Sequence, residues 1–246
     1  MNDIDGFNFR EFPKKLNLGC GFDIIEGYLN VDLHAFHKPD LVADVCNLSM
    51  LPSGYYEEII AQDILEHLQR SRTKPTLAEW NRLLKNNGIL KLRVPNLIGL
   101  LSLFLKEESQ NVKKQEELIQ CCFGTQAYEG DYHYTSFTDL LLKHYLIETG
   151  FSILKMSRKD EWLFEVIAQK AGECSRDALL SITDQKEFLV KAYLAVLLRE
   201  PDDEGLAYYT SRMNIDHVTK EDILNSLLNS DERRNLQEQG LVGTRI

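Results

Sequence analysis

Leu16-Asn17-Leu18-Gly19-Cys20-Gly21, followed by Leu29-Asn30-Val31-Asp32, decides how this chain is read. An apolar strand runs into a Gly-x-Gly turn, and a second short apolar run ends in an acid. In a nucleotide-binding βαβ unit such glycines let the backbone approach a ligand, and the acid closing the next strand accepts hydrogen bonds from ribose hydroxyls. A Gly-x-Gly pair alone is also an ordinary tight turn. A dinucleotide fold calls for a third glycine three residues after Gly21; that position is Ile24, and Asp23 in the turn would repel a pyrophosphate. A ligand with one carboxylate, one ammonium group and an adenosine makes smaller demands on the turn.

Working outward, Leu41-Val42-Ala43-Asp44-Val45 reads as a third strand ending near an acid, and Ile59 to Asp63 as a fourth, followed by Leu65-Glu66-His67-Leu68. Thr76-Leu77-Ala78-Glu79 reads as a capping box. It opens a helix that closes at Asn87-Gly88, with Lys85 in its last turn. Ile89 to Asn96 is a fifth strand. Phe151 to Met156 and Trp162 to Ala168 read as a hairpin. Strands alternating with helices imply a parallel sheet, and a late hairpin adds an antiparallel edge. The first and second strands are separated by about ten residues, near the minimum for a parallel crossover, so the first helix is expected to be a single turn. That leaves the ligand loop open on one side, with Asn8 to Pro13 as a candidate cover.

These motifs, in this order, resemble the class I S-adenosylmethionine-dependent methyltransferases of the bacterial glycan-associated type. Leu-Asn-Leu-Gly-Cys-Gly, Asn-Val-Asp, Leu-Glu-His and the Val94-Pro95-Asn96 strand end match in turn. Trp80-Asn81-Arg82-Leu83-Leu84-Lys85-Asn86-Asn87-Gly88 is similar to the family's Arg-Val-Leu-Lys-Pro-Gly-Gly helix end, with Asn-Asn replacing Pro-Gly. His133-Tyr134-Thr135-Ser136-Phe137 and Thr149-Gly150-Phe151 match the late segments. The likeness covers about residues 14 to 168, and ordered motifs are more specific than any single one.

The resemblance implies a Rossmann-like α/β methyltransferase sheet with S-adenosylmethionine as cofactor. It puts Gly19, Cys20, Gly21, Asp32 and Leu33 on the cofactor side. Asp44 falls to the adenine amino group, Val45 and Ile64 are candidate walls for the ring, and Gln62 and Asp63 lie at the end of the fourth strand. If the acceptor is a hydroxyl, a general base assists. Asp63, His67 and His133 are the candidates. His133 lies in the polar, aromatic loop Tyr128 to Tyr134, whose tyrosines offer flat faces to a sugar.

Composition bounds the partners. The 246 residues carry a net charge of −10 spread over both halves, and neither half is basic, which speaks against a large nucleic-acid surface. No long apolar run or basic-then-apolar start marks a membrane span or signal peptide, so a cytoplasmic protein is expected. Cys20, Cys46, Cys121, Cys122 and Cys174 show neither Cys-x-x-Cys pairing nor a His at zinc spacing, so reduced thiols and no metal are expected.

Near Lys170 the character changes. Residues 1–169 read as the methyltransferase domain, 170–184 as a linker and 185–246 as a small all-helical domain. Asp184 or Thr183 caps its first helix, Pro201-Asp202-Asp203 starts a second, Thr219-x-x-Asp222 a third and Ser230 a fourth that stops at Gly240. The run from Tyr193 through Pro201-Asp202 and Gly205-Leu206 to Glu232 is similar to a domain of unknown function in bacterial surface and glycan-related proteins. It is a candidate module for a protein partner.

Three functions are consistent with this sequence. The leading one is methylation of a sugar or cell-surface glycan hydroxyl, on a glycan or nucleotide-sugar acceptor. A non-catalytic cofactor-binding scaffold of glycan biosynthesis is the second. A nicotinamide-dependent sugar oxidoreductase is the third, opposed by Ile24 and by the lack of a Tyr-x-x-x-Lys pair.

Overall fold

The computed structural model describes residues 8–171 and 176–242. Cys174 and part of the expected linker lie outside the described residues. The chain divides into two compact units. One comprises the residues up to Phe151 with Lys155–Lys170, the other Ser152–Leu154 with the residues from Ala171 onward.

The sheet is built from β1 (Lys15–Leu18), β2 (Leu29–Asp32), β3 (Leu41–Val42), β4 (Tyr56–Gln62), β5 (Leu84–Pro95), β6 (Phe151–Lys159) and β7 (Leu163–Lys170). The sheet order is β3-β2-β1-β4-β5-β7-β6. Strands β1 to β5 pair in parallel, and β7 runs antiparallel beside β5. This is the mixed Rossmann-like sheet that the motifs imply.

The pairing registers align two unlike faces. Leu16, Leu29, Ile59, Leu90 and Ala168 share one face and are fully buried. The alternate face carries Lys15, Asn17, Asn30, Glu58, Lys91 and Arg93, with Lys91 Nζ 2.8 Å from Glu58. A parallel sheet normally needs apolar residues on both faces, because crossover helices cover both. Here the first two crossovers bring no α-helix. Cys20–Tyr28 is made of turns and irregular backbone, and Leu33–Asp40 contains only a 3₁₀ turn, Ala35–His37. The expected single helical turn after β1 is therefore absent.

Two buried asparagines organise that crossover instead. Asn17 Nδ2 donates to the Asp23 carbonyl at 2.8 Å and to Asn30 Oδ1 at 2.9 Å. Asn30 Oδ1 also accepts from Ile25 N–H, and its Nδ2 donates to the Ile25 and Tyr28 carbonyls and to Asp40. These bonds satisfy loop groups that a helix would have satisfied internally.

Helix α1 (Thr73–Leu83) begins three residues before the expected capping box. Its N-cap is Arg72, without a side-chain bond, and Thr76 is buried inside its first turns. Glu79 instead pairs with Arg82 and accepts from Leu48 N–H. The helix ends at Leu83 because residues 84–95 enter β5, so Lys85 and Asn87-Gly88 lie in the strand, with Asn87 at φ +62°. Trp80, fully buried, donates Nε1–H to the Val45 carbonyl at 3.0 Å, and Arg82 donates to the Leu48 and Leu51 carbonyls. Helix α1 thereby fixes the loop after β3.

Beyond β5 come α2 (Leu97–Phe104), α3 (Val112–Phe123) and α4 (Asp139–Glu148). Thr138 caps α4 through Leu141 N–H.

The second unit is helical. Its α5 (Arg176–Ser181) falls inside the stretch expected to be a linker and buries Leu179. Next are α6 (Gln185–Leu197), α7 (Asp203–Ile215), α8 (Lys220–Leu228) and α9 (Asp231–Glu238). Asp184, Asp202, Thr219 and Ser230 cap the last four, and Thr219/Asp222 form a reciprocal capping box. Phe188, Leu189, Ala192, Val196, Ile223 and Leu224 form the core. Among the described residues no helix is long and apolar enough to cross a membrane.

Candidate functional site

At the carboxyl ends of β1, β2 and β4 a cleft opens with about 730 Å3 of empty space, part of it open to solvent. Ligand crevices of open α/β sheets form at this end. Gly19, Gly21, Asp32, Leu33, Asp44, Val45, Asp63, Ile64 and His67 all line it, so most of the residues singled out from separate motifs converge there.

Each has a definite setting. Gly19 and Gly21 have φ of +64° and +50°, left-handed conformations that favour glycine. A Cβ on Gly19 would lie 2.4 Å from Ile64 Cγ1, whereas one on Gly21 would meet no atom within 4 Å. Gly19 is thus demanded by packing between two strand ends, and Gly21 by backbone conformation.

Asp32 is buried at the end of β2. Its Oδ2 accepts Gly21 N–H at 2.9 Å, and its Oδ1 accepts His34 N–H at 2.8 Å and faces His37 Nδ1 at 2.9 Å. Burial pushes its carboxyl upward, but the bonds from His34, His37 and Gly21 outweigh burial and hold it below the usual carboxylate range. A carboxylate has about four acceptor sites, so three are already used and one remains. His37 Nε2 and His34 Nε2 are buried without partners in the same cleft. The motif reading did not single out these two histidines; the signal for them is the His34-x-x-His37 spacing directly after Asp32.

Asp44 accepts from Arg72 Nη2 at 2.8 Å and from Cys46 N–H at 2.9 Å. Those bonds, Arg72 foremost, overcome the upward push of burial and lower its pKa. Asp63, at φ +53°, binds both carboxylate oxygens to Arg93. A base at this position would share its oxygens with the guanidinium, which takes three of about four acceptor sites.

Two expected cofactor residues lie elsewhere. Cys20 is buried beneath the turn with its N–H on the Val31 carbonyl, and burial, then Asp32, pushes its thiol up to about 12. Gln62 is exposed on the polar sheet face, where it lines a separate hollow with Lys91 and Arg93, while Asp63, one step on, lines the cleft. The Asn8–Pro13 segment is no cover either. Phe9 packs edge-on to Tyr55, which precedes β4 at the opposite strand end.

The loop that does reach the cleft is the one carrying Tyr128, Gly130 and Asp131. Tyr128 packs edge-on against His34, Phe36 and His37. His133 lies just beyond, its ring 4.6 Å from that of His67 and perpendicular to it. His133 Nδ1 faces the Cys121 carbonyl at 3.1 Å. Burial lowers the pKa of both imidazoles, so both are neutral near pH 7. Beside them Glu66 is buried, and burial pushes its carboxyl up to about 8.

Residues 5–92 match a family model described as a methyltransferase domain, and residues 178–237 match the domain of unknown function DUF4214. No curated protein matches the chain in sequence. Among solved structures, the fold is similar to a possible exported protein from Bordetella parapertussis (16% identity, 65% of this chain, 63% of that one, TM-score 0.47). It is also similar to the Burkholderia thailandensis 1,6-didemethyltoxoflavin N1-methyltransferase, solved with S-adenosylhomocysteine (15% identity, 64% and 71% covered, TM-score 0.43). A third is an S-adenosylmethionine-dependent methyltransferase from Methanosarcina mazei (18% identity, 70% and 99% covered, TM-score 0.47).

The chain carries a methyltransferase domain that uses S-adenosylmethionine, and a second, helical domain of unknown function. The site fits that cofactor. Gly21 leaves open space where a side chain would stand, and Asp32 keeps one acceptor site beside two unpartnered imidazole nitrogens. The match favours the methyltransferase reading over the nicotinamide one.

Proposed function

We propose that the first unit methylates a hydroxyl of a sugar or glycan-linked acceptor. The observation that carries this reading is the loop beside the cleft. Tyr132 and Tyr134 are partly exposed, tilted 36° to each other with centroids 6.3 Å apart, and flank His133. Flat aromatic faces around a polar group suit the faces and hydroxyls of a sugar ring.

In this reading Gly19 and Gly21 seat the methionine part of the cofactor. Asp32, with His37, holds the ribose diol. Asp44, Val45 and Ile64 receive the adenine, and Leu33 closes its exposed side. Bound there, S-adenosylmethionine supplies an electrophilic methyl carbon on its sulfonium. The protein aligns the acceptor oxygen with that carbon and excludes water. His133, with Nδ1 turned to the Cys121 carbonyl, keeps a lone pair on Nε2 for the hydroxyl proton, and His67 packs against it. Cys20, Cys46, Cys121 and Cys122 are unpaired, which supports a reducing, cytoplasmic setting. The helical unit takes the part of a module for a protein partner. Incubation with methyl-labelled cofactor and a panel of nucleotide sugars and cell-envelope glycans tests the reading. Label is expected on a sugar oxygen; label on nitrogen or carbon acceptors alone overturns it.

A further inference from the structure

We propose that Glu66, His67 and His133 form a site for one divalent transition-metal ion of the zinc class, beside the cofactor cleft. One ligand atom from each of the three lies within 4.8 Å of the others. Zinc–ligand distances of about 2.0–2.1 Å put donors around a tetrahedral ion roughly 3.3 Å apart. The ion would draw these atoms closer by at most about 1.5 Å.

The donor atoms are otherwise unexplained. Glu66 is 1% exposed and its Oε2 has no hydrogen-bond partner, and His67 Nδ1 is likewise buried and unpartnered. Burying a carboxyl oxygen and an imidazole nitrogen without a protein partner is costly, and one cation satisfies both. His133 is arranged as metal-bound histidines are. Its Nδ1 is committed to a backbone carbonyl, which fixes the tautomer and frees the lone pair on Nε2.

Two chain segments are clamped together to make the set. Tyr134 N–H and Thr135 N–H both bond to the Glu66 carbonyl, at 2.8 and 3.3 Å, so the loop bearing His133 is tied to the turn bearing Glu66 and His67. Local spacing in the sequence shows nothing of this, because the ligands come from segments far apart in the chain.

Two histidines and a glutamate leave a fourth position for an exchangeable ligand, and His67 lines the cleft. The ion's role, though not its binding, rests on the proposed methyl transfer. There it would bind the acceptor oxygen and lower the hydroxyl pKa, so that the proton passes to solvent water while the His133 lone pair is held by the ion.

The test is a titration of the chelator-stripped full chain with Co2+, read as visible d–d absorption, followed by displacement with Zn2+. One saturable equivalent is expected. Glu66→Gln and His133→Ala should each weaken it by at least about tenfold, the scale seen when even supporting groups of a metal site are removed. His217→Ala, on an exposed residue of the helical unit, should leave it unchanged. Glu66→Gln keeps the side-chain volume, and circular dichroism confirms the folding of every variant. No saturable site, or full binding in both ligand variants, overturns the proposal. S-adenosylhomocysteine affinity measured on the same samples separates this from the methyltransfer reading, since cofactor binding without metal binding sinks only the metal site.

Discussion

His37 Nδ1 stands 2.9 Å from Asp32 Oδ1, with both side chains buried at the floor of the cleft. The imidazole orients the carboxylate and presents its own unpartnered Nε2 to the same space. In the proposed reading the pair forms one ribose-binding unit. Asp32→Ala should weaken S-adenosylhomocysteine binding by roughly 1.5–3 kcal/mol, the scale of hydrogen bonds to a charged group. His37→Phe, which keeps the ring but loses both nitrogens, should weaken it by about 1 kcal/mol or more. Calorimetry decides; unchanged affinity in both folded variants removes the pair from the site.

The two glycines should respond differently to the same substitution. Gly19→Ala drives a methyl group into Ile64 as well as straining φ, so it should lower thermal stability and cofactor affinity together. Gly21→Ala adds a methyl group in open space and carries the left-handed penalty alone, roughly 1–2 kcal/mol. A melting-temperature loss for Gly21→Ala equal to that for Gly19→Ala would contradict the packing difference.

Cofactor affinity should hold steady on acidification from neutrality to about pH 4, near the ordinary aspartate pKa of about 3.9. Asp32 and Asp44 both titrate below their usual range in the folded protein. A carboxylate with a depressed pKa stays ionised, and able to accept a hydrogen bond from the ligand, until pH falls through that lowered value. Calorimetry at pH 7 and pH 5 should give the same dissociation constant for S-adenosylhomocysteine. A marked loss by pH 5 would mean that these carboxylates are not the groups holding the ligand.

The helical unit should be separable by mutation. Phe188 is fully buried in its core, so Phe188→Ala should cost roughly 3–5 kcal/mol there. Cofactor affinity should stay within about 0.5 kcal/mol of wild type, as for sites without a key contact. Chemical denaturation followed by two local fluorescence probes checks both statements; loss of cofactor binding would show that the first unit depends on the second.

Much of the site was legible because its residues sit at strand ends, where a short motif fixes both conformation and direction. Gly19, Asp32, Asp44 and Ile64 converge for that reason. Gln62 was misplaced by one step of a period-two pattern, which moves a side chain to the other face of the sheet. The helix start at Thr73 was hidden because Thr76-x-x-Glu79 copies a capping box while Glu79 is spent on Arg82 and the Leu48 N–H. The helix-free crossover was announced by Asn17 and Asn30, polar residues facing one way on central strands, a place where a covered sheet carries apolar ones. The grouping of Glu66, His67 and His133 needed the fold itself, since no local spacing encodes contacts between segments so far apart.

His133→Ala tests the account most directly, with turnover and S-adenosylhomocysteine affinity measured on one sugar acceptor. The account predicts a split: affinity within about 0.5 kcal/mol of wild type, and turnover lowered by roughly 10²–10⁴. Lost cofactor affinity with turnover preserved at saturating cofactor would contradict it, and would make the tyrosine-rich loop a lid over the cofactor in place of a platform for the acceptor.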